Sequence, residues 1–459
     1  MEQITKPHCG ARLDRLPDCR WHSSMFAIVA FGLLVCWSNA VGGLILAQLK
    51  ALGWTDNSTT ATFSAITTAG MFLGALVGGI IGDKTGRRNA FILYEAIHIA
   101  SMVVGAFSPN MDFLIACRFV MGVGLGALLV TLFAGFTEYM PGRNRGTWSS
   151  RVSFIGNWSY PLCSLIAMGL TPLISAEWNW RVQLLIPAIL SLIATALAWR
   201  YFPESPRWLE SRGRYQEAEK VMRSIEEGVI RQTGKPLPPV VIADDGKAPQ
   251  AVPYSALLTG VLLKRVILGS CVLIAMNVVQ YTLINWLPTI FMTQGINLKD
   301  SIVLNTMSMF GAPFGIFIAM LVMDKIPRKT MGVGLLILIA VLGYIYSLQT
   351  SMLLITLIGF FLITFVYMYV CYASAVYVPE IWPTEAKLRG SGLANAVGRI
   401  SGIAAPYAVA VLLSSYGVTG VFILLGAVSI VVAIAIATIG IETKGVSVES
   451  LSIDAVVNK

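Results

Sequence analysis

Charge is scarce in this sequence: 12% of its 459 residues are Asp, Glu, Lys or Arg, against 56% that are hydrophobic. A soluble domain carries about 25% charge, so an ordinary water-exposed fold is excluded. Histidine is scarcer still, at three residues, and the seven cysteines (Cys9, Cys19, Cys36, Cys117, Cys163, Cys271 and Cys371) include no CxxC pair. Neither a metal cluster nor a disulfide framework is expected. The phosphate loop GxxxxGK[ST] is missing, which argues against ATP-driven work within this chain. HExxH is missing too, and no nucleophile stands with a paired base, so no enzyme is expected and no cofactor is implied.

Long apolar runs take the place of these features. A bilayer-spanning helix needs about 20 apolar residues, and by that measure the chain holds twelve. Six fall near Trp21–Leu46, Ala61–Ile81, Asn89–Phe107, Phe113–Phe136, Val152–Leu170 and Val182–Trp199. Six more fall near Val266–Phe291, Ser301–Met323, Gly332–Leu348, Leu353–Val378, Ser391–Leu413 and Gly417–Ile439. The expected fold is an all-α membrane protein with a bundle over 1–202, a polar linker over 203–264 and a second bundle over 265–459. The first apolar segment follows a polar stretch of about 20 residues and has no small-residue cleavage pattern after it, so that span reads as retained. Within the linker, Tyr215, Ala218, Val221, Met222 and Ile225 form an apolar stripe over Glu210–Glu227, predicting an amphipathic helix beneath the bundles.

Basic residues fix the expected orientation, because cytoplasmic loops collect Lys and Arg. With both termini on one side, that side holds 28 of the 33. The other side has Lys50, Arg181 and Lys299, while Arg118 and Arg399 lie inside spans. The chain therefore reads as a multi-pass plasma-membrane protein, of the inner membrane in a bacterium, with cytoplasmic termini. The net charge of +9 follows from this topology and adds a weak attraction to anionic lipid. It does not suggest nucleic acid.

The stretch GDKTGRRNAF, Gly82–Phe91, follows span two, and MDKIPRKTMG, Met323–Gly332, follows span eight. Asp324, Lys325, Arg328 and Lys329 repeat the spacing of Asp83, Lys84, Arg87 and Arg88. After spans four and ten, Glu138 precedes Arg145 as Glu380 precedes Lys387. Two echoes at one phase imply two six-helix pseudo-repeats, and such repeats point to alternating access around a site near the midplane.

The chain resembles the major facilitator superfamily, in particular its sugar porter and metabolite:proton symporter group. The resemblance rests on Gly79 and the run from Gly82 to Arg88, on RFVMGVGLG (118–126), EYMPGRNRG (138–146), PESPRWL (203–209), YTLINWLPT (281–289), PEIWPTEAKLRGSG (379–392) and IETKG (441–445). It implies a secondary transporter of a sugar, polyol or organic acid, with proton symport the expected mode. An exporter, a uniporter and a nutrient sensor are rival readings on the same fold. By the same resemblance Asp83, Arg87, Arg88, Glu138 and Arg145, with Asp324, Arg328 and Glu380 in the second half, form a conformational latch.

Ionisable groups deep in a span are functional candidates, and here they are Glu95, His98, Arg118 and Arg399. Proton-coupled members of the group pair the span-four Arg with an Asp in span one, but aligning GLLVCWSNAVGG places Asn39 there. Either coupling has moved to Glu95 with His98, or Arg118 faces an anionic substrate, or no proton is carried. Asn157, Asn277, Gln280, Tyr281, Asn285 and Asn395 offer hydrogen bonds to a polar solute, and Trp286 offers a face for a ring. Such amides also serve as interhelical glue. A small molecule, protons and membrane lipid are the expected partners; no obligatory protein partner is evident.

Overall fold

The computed structural model describes residues 7–17, 19–33, 36–140, 145–240, 253–323, 325–383 and 386–444. Every regular element among them is helical, and ten helices are long and apolar enough to cross a bilayer. Ten and twelve are reconciled by two local departures from straight helix. The last helix, Lys387–Ile439, holds two expected spans joined at Gly417, whose φ of 64° breaks the helical path. The fifth span is two short helices, Arg145–Asn157 and Ser159–Leu170.

Proline explains that break. Pro161 has no N–H to offer the carbonyl of Asn157 four residues back, and the chain makes a turn at Trp158, whose N–H bonds Ile155 O at 3.0 Å. The eighth span repeats the device: Pro313 withholds a donor from Met309, and the helices Leu298–Met309 and Gly311–Val322 meet at Phe310.

The repeat read in the charges recurs in the packing. A Cβ on Gly70, Gly74 or Gly78 of span two would overlap the backbone of span four at Phe119, Val123 and Ala127. On Gly311 or Gly315 of span eight it would overlap the backbone of span ten at Phe360 and Thr364. Glycines four residues apart let helix backbones touch where lipid provides no hydrophobic drive for association. Gly70 and Gly311, Gly74 and Gly315, and Arg87 and Arg328 are all 241 residues apart.

The chain forms two compact units. The first comprises Met1–Asn39, Gly70–Ser159 and Leu184–Gly246, and the second Ala40–Ala69, Tyr160–Gln183 and Lys247–Lys459. In the second, a Cβ on Gly43 would overlap Ile284 O, Gly402 packs against Thr68 and Tyr281, and Asn305 Nδ2 donates to Ser164 Oγ at 3.0 Å.

The first unit holds an element that the sequence reading left as plain tail. A short helix, Cys9–Asp14, lies on the linker, burying Cys9, Leu13 and Leu16 against Leu209, Ala218, Met222, Ile225 and Val229. Arg12 pairs with Glu219 and, at 2.7 Å, with Glu226, which also takes Arg15 at 2.6 Å. The expected amphipathic helix is present with shifted bounds. Gly213, at φ 72°, separates Pro206–Ser211 from Tyr215–Thr233, and Gly234, at φ 65°, caps the latter.

Candidate functional site

Glu95 and His98, both fully buried, share one face of the helix Arg87–Ala106, being three residues apart. His98 Nε2 lies 2.8 Å from Ser38 Oγ, and its Nδ1 is 3.4 Å from Ser191 Oγ and 3.8 Å from Glu95 Oε2. Arg118, 2% exposed on span four, donates from Nη1 to Ser38 O at 2.7 Å and lies 3.2 Å from Met121 Sδ. Gly124 permits the approach of spans three and four, since a Cβ there would sit 3.1 Å from His98 N. Side chains from spans one, three, four and six thus converge within the first unit. Asn39, also buried, follows Ser38 directly. The arrangement offers an imidazole and a guanidinium joined through Ser38, with a carboxylate 3.8 Å from the imidazole, which is the equipment for holding and passing a proton or for pairing with an anion.

In the second unit the polar residues of span seven occupy the long helix Gly260–Thr293. Asn277 is buried and donates to Leu273 O at 2.7 Å. Gln280 lies beside the hydroxyl of Tyr367, whose ring meets that of Tyr160 edge-on at 5.5 Å. Tyr281 packs on Gly402. Gln280, Tyr281, Tyr367 and Tyr160 form one polar wall. Asn285 is buried one turn on, and Trp286 is sealed among Ala61, Ile290 and Val409. Asn157 and Asn395 are each turned back on their own helix, to Ser153 O at 2.8 Å and Ser391 O at 2.9 Å.

At the helix ends that carry the basic loops, each half builds the same charge network. In the first half Arg87 Nε and Nη2 bond Glu138 Oε1 at 2.9 and 2.8 Å, and Nη1 bonds Asp83 at 2.7 Å. In the second half Arg328 Nε and Nη2 bond the two oxygens of Glu380 at 3.0 and 3.1 Å. Asp83 is 65% exposed at its side chain, and its carbonyl accepts from Trp208 Nε1 at 2.7 Å and from Arg212 Nη2 at 2.5 Å. Arg88 donates to Trp199 O at 2.5 Å. Asp324 and the side chain of Arg145 lie outside the described residues.

Two carboxylates that the sequence reading passed over complete these networks. Glu204 Oε1 accepts from the N–H groups of Arg87, Arg88 and Ser205 at 2.7, 3.3 and 3.0 Å. Glu442 does the same for Arg328 and Lys329 at 2.8 and 3.2 Å. Each stands at the amino end of a helix, where a negative charge is favoured by the helix dipole. Burial pushes the Glu204 carboxyl up, against the lowering effect of its backbone hydrogen bonds. Burial opposes ionisation of Glu442 as well, but hydrogen bonds from Arg328, Lys329 and Lys444 outweigh it and hold the carboxyl below its ordinary value. The signal was available: Glu204 sits in PESPRWL and Glu442 in IETKG, at matching places after the last span of each half.

Paired six-span halves, glycine-sealed helix crossings and duplicated charge networks define a secondary-carrier architecture. The chain belongs to the Major Facilitator Superfamily, whose model matches residues 25–406. It is 44% identical over 455 residues to the inner membrane metabolite transport protein YdjE of Escherichia coli, covering 98% of this chain and 99% of the relative. The niacin transporter NiaP of Acinetobacter baylyi is 26% identical, covering 96% and 99%. Among solved structures, the xylose transporter XylE of E. coli in a partially occluded inward-open conformation superposes with a TM-score of 0.73 at 18% identity, covering 93% of this chain and 100% of that one.

Proposed function

We propose that this protein is a proton-coupled secondary transporter of a small polar metabolite, a sugar, polyol or organic acid, working by alternating access between bundles 1–202 and 265–459. Both termini and the basic loops face the cytoplasm, a reading that the distribution of Lys and Arg supports. The observation that carries the coupling assignment is the buried Glu95–His98–Ser38–Arg118 cluster. Glu95 is the proton carrier, His98 and Ser191 are its immediate neighbours, and Arg118 is the cation whose surroundings respond to the proton. This assignment fits Asn39 in span one, since a residue that cannot titrate leaves the proton to another helix. Gln280, Tyr281 and Asn277 hydrogen-bond the solute. The relatives support the substrate class: YdjE is named for metabolite transport, NiaP for niacin and XylE for xylose. The charge networks centred on Arg87 and Arg328 act as the latch that sets the balance between access states.

Uptake into proteoliposomes of a panel of sugars, polyols, sugar acids and aromatic acids, with and without an imposed inward proton gradient, tests this reading. Accumulation should require the gradient, and Glu95→Gln should abolish accumulation while preserving exchange of substrate across the membrane. Accumulation by Glu95→Gln equal to that of the parent would remove Glu95 as the carrier. Uptake of a substrate that only equilibrates, whatever the gradient, would make the protein a uniporter.

A further inference from the structure

Where spans one, three and six end at the basic loops, the helix Tyr215–Thr233 lines an open pocket of about 680 Å³ in the first unit. Its walls carry three cations, Arg88, Arg214 and Lys220, two carboxylates, Glu204 and Glu217, and the rings of Trp21 and Tyr201. Both carboxylates are already engaged. Glu204 caps the helix Arg87–Ala106 through three backbone N–H groups, and Glu217 takes Arg214 Nε and Nη2 at 2.7 and 2.5 Å. The remaining cations are unmatched. Lys220 is exposed and pairs with neither carboxylate, and Arg88, with Nη2 on the Trp199 carbonyl, keeps a buried Nε that has no hydrogen-bond partner.

The mouth of this cavity lies at the height of lipid headgroups. Trp199 and Tyr201, 64% and 61% exposed at the end of span six, are the amphipathic rings that settle at the membrane–water boundary, and the Arg88 guanidinium stands 5.9 Å over the Trp199 ring. The volume falls within the range of small-molecule sites, about 300–1,000 Å³. Basic pockets between spans at this level suit phosphate-bearing lipid heads.

We propose that this cavity binds the phosphate of an anionic membrane lipid, with Arg88 and Lys220 as the receiving cations, Arg214 as the flanking one, and the acyl chains leaving past Tyr201 along span six. The inference is independent of substrate and of proton coupling. It makes the linker helix one wall of a lipid site, so a bound lipid ties that helix to spans three and six.

Delipidated full-length protein in a neutral detergent is titrated with dioctanoyl phosphatidylglycerol, dioctanoyl phosphatidylcholine and inorganic phosphate, and thermal unfolding is followed, since a ligand of the folded state raises the transition temperature. Dioctanoyl phosphatidylglycerol should stabilise saturably at low ionic strength, and dioctanoyl phosphatidylcholine should not. Lys220→Gln should raise the half-saturating concentration on the order of 5-fold, the worth of one cation near a charged surface. Lys264→Gln, outside the cavity, should leave it unchanged, and both variants should unfold like the parent without lipid. Equal stabilisation by the zwitterionic lipid, or an undiminished response in Lys220→Gln, overturns the proposal. Saturation by inorganic phosphate at the same concentrations overturns the lipid as its source.

Discussion

Gly86 joins span two to span three with φ 97° and ψ 161°, and Gly86→Ala should be destabilising. Two costs combine there. The backbone region is open in practice only to glycine, and forcing another residue into it costs about 1–3 kcal/mol. The added Cβ would also overlap Glu204 Oε2, so the carboxylate must leave the N–H groups of Arg87, Arg88 and Ser205. Hydrogen bonds to a charged group contribute about 1.5–3 kcal/mol each at most, and losing the best of them brings the total to roughly 3–5 kcal/mol. Thermal unfolding of purified protein, compared across three alanines, separates the terms. Gly79→Ala meets no atom within 4 Å, lies mid-helix and should be neutral or stabilising by up to about 1 kcal/mol. Gly53→Ala, at φ 76° with nothing within 4 Å, should show the backbone cost alone. Gly86→Ala should fall well below both. A melting temperature for Gly86→Ala equal to that of Gly53→Ala would mean that Glu204 caps nothing of consequence.

Three further outcomes are expected. Arg328→Lys keeps the charge but loses the two-pronged contact with Glu380 at 3.0 and 3.1 Å, at about 1 kcal/mol given the partial exposure of Glu380; in a double-mutant cycle with Glu380→Gln on thermal stability, additive effects would refute the coupling. The Glu226 carboxyl is pushed up by burial but more strongly down by hydrogen bonds from Arg12 and Arg15, which hold it below its ordinary 4.5. A depressed carboxyl stabilises fully above its unfolded value and loses that contribution as pH falls through the folded one, so the hold on the Cys9–Asp14 helix should weaken only as pH falls below the ordinary carboxyl value of 4.5. Amide exchange of that helix, if flat between neutral and acid pH, would exclude this. Burial and the neighbouring Glu210 push the Cys9 thiol up to about 12, so a variant retaining only that cysteine should label slowly with maleimide at neutral pH, and rapid labelling would show that the tail is not seated on the linker.

What the sequence made legible was local or repeated. Hydropathy places spans because each span satisfies its own backbone bonds, and the charge echo at Arg87 and Arg328 exposes the repeat because identical turns recur at a fixed phase. Contacts between distant residues were less visible. Glu204 lies 117 residues from Arg87 and Glu442 lies 114 from Arg328, so neither announces its role by spacing, although each sits inside a motif that was read. The tail helix spans only six residues, too short for periodicity to register, even though Cys9, Leu13 and Leu16 fall at helical intervals. The break at Trp158 falls where the run Gly156–Tyr160 interrupts the apolar pattern, and its sign was Pro161. Span seven exposed its polar residues by composition, but the side each one faces depends on its neighbours. Gln280 meets Tyr367, while Trp286 is enclosed by aliphatic side chains.

Gly43 touches Ile284 and Asn285 backbone to backbone. A contact without side chains cannot loosen by rotamer changes, and it has no intermediate spacing at which half of it survives, because close-packed surfaces separate all at once. Parting residues 40–69 from span seven therefore requires a helix to move as a rigid whole. A single methyl group at residue 43 would act on that seam as a wedge, prising two helices apart where no side chain can yield.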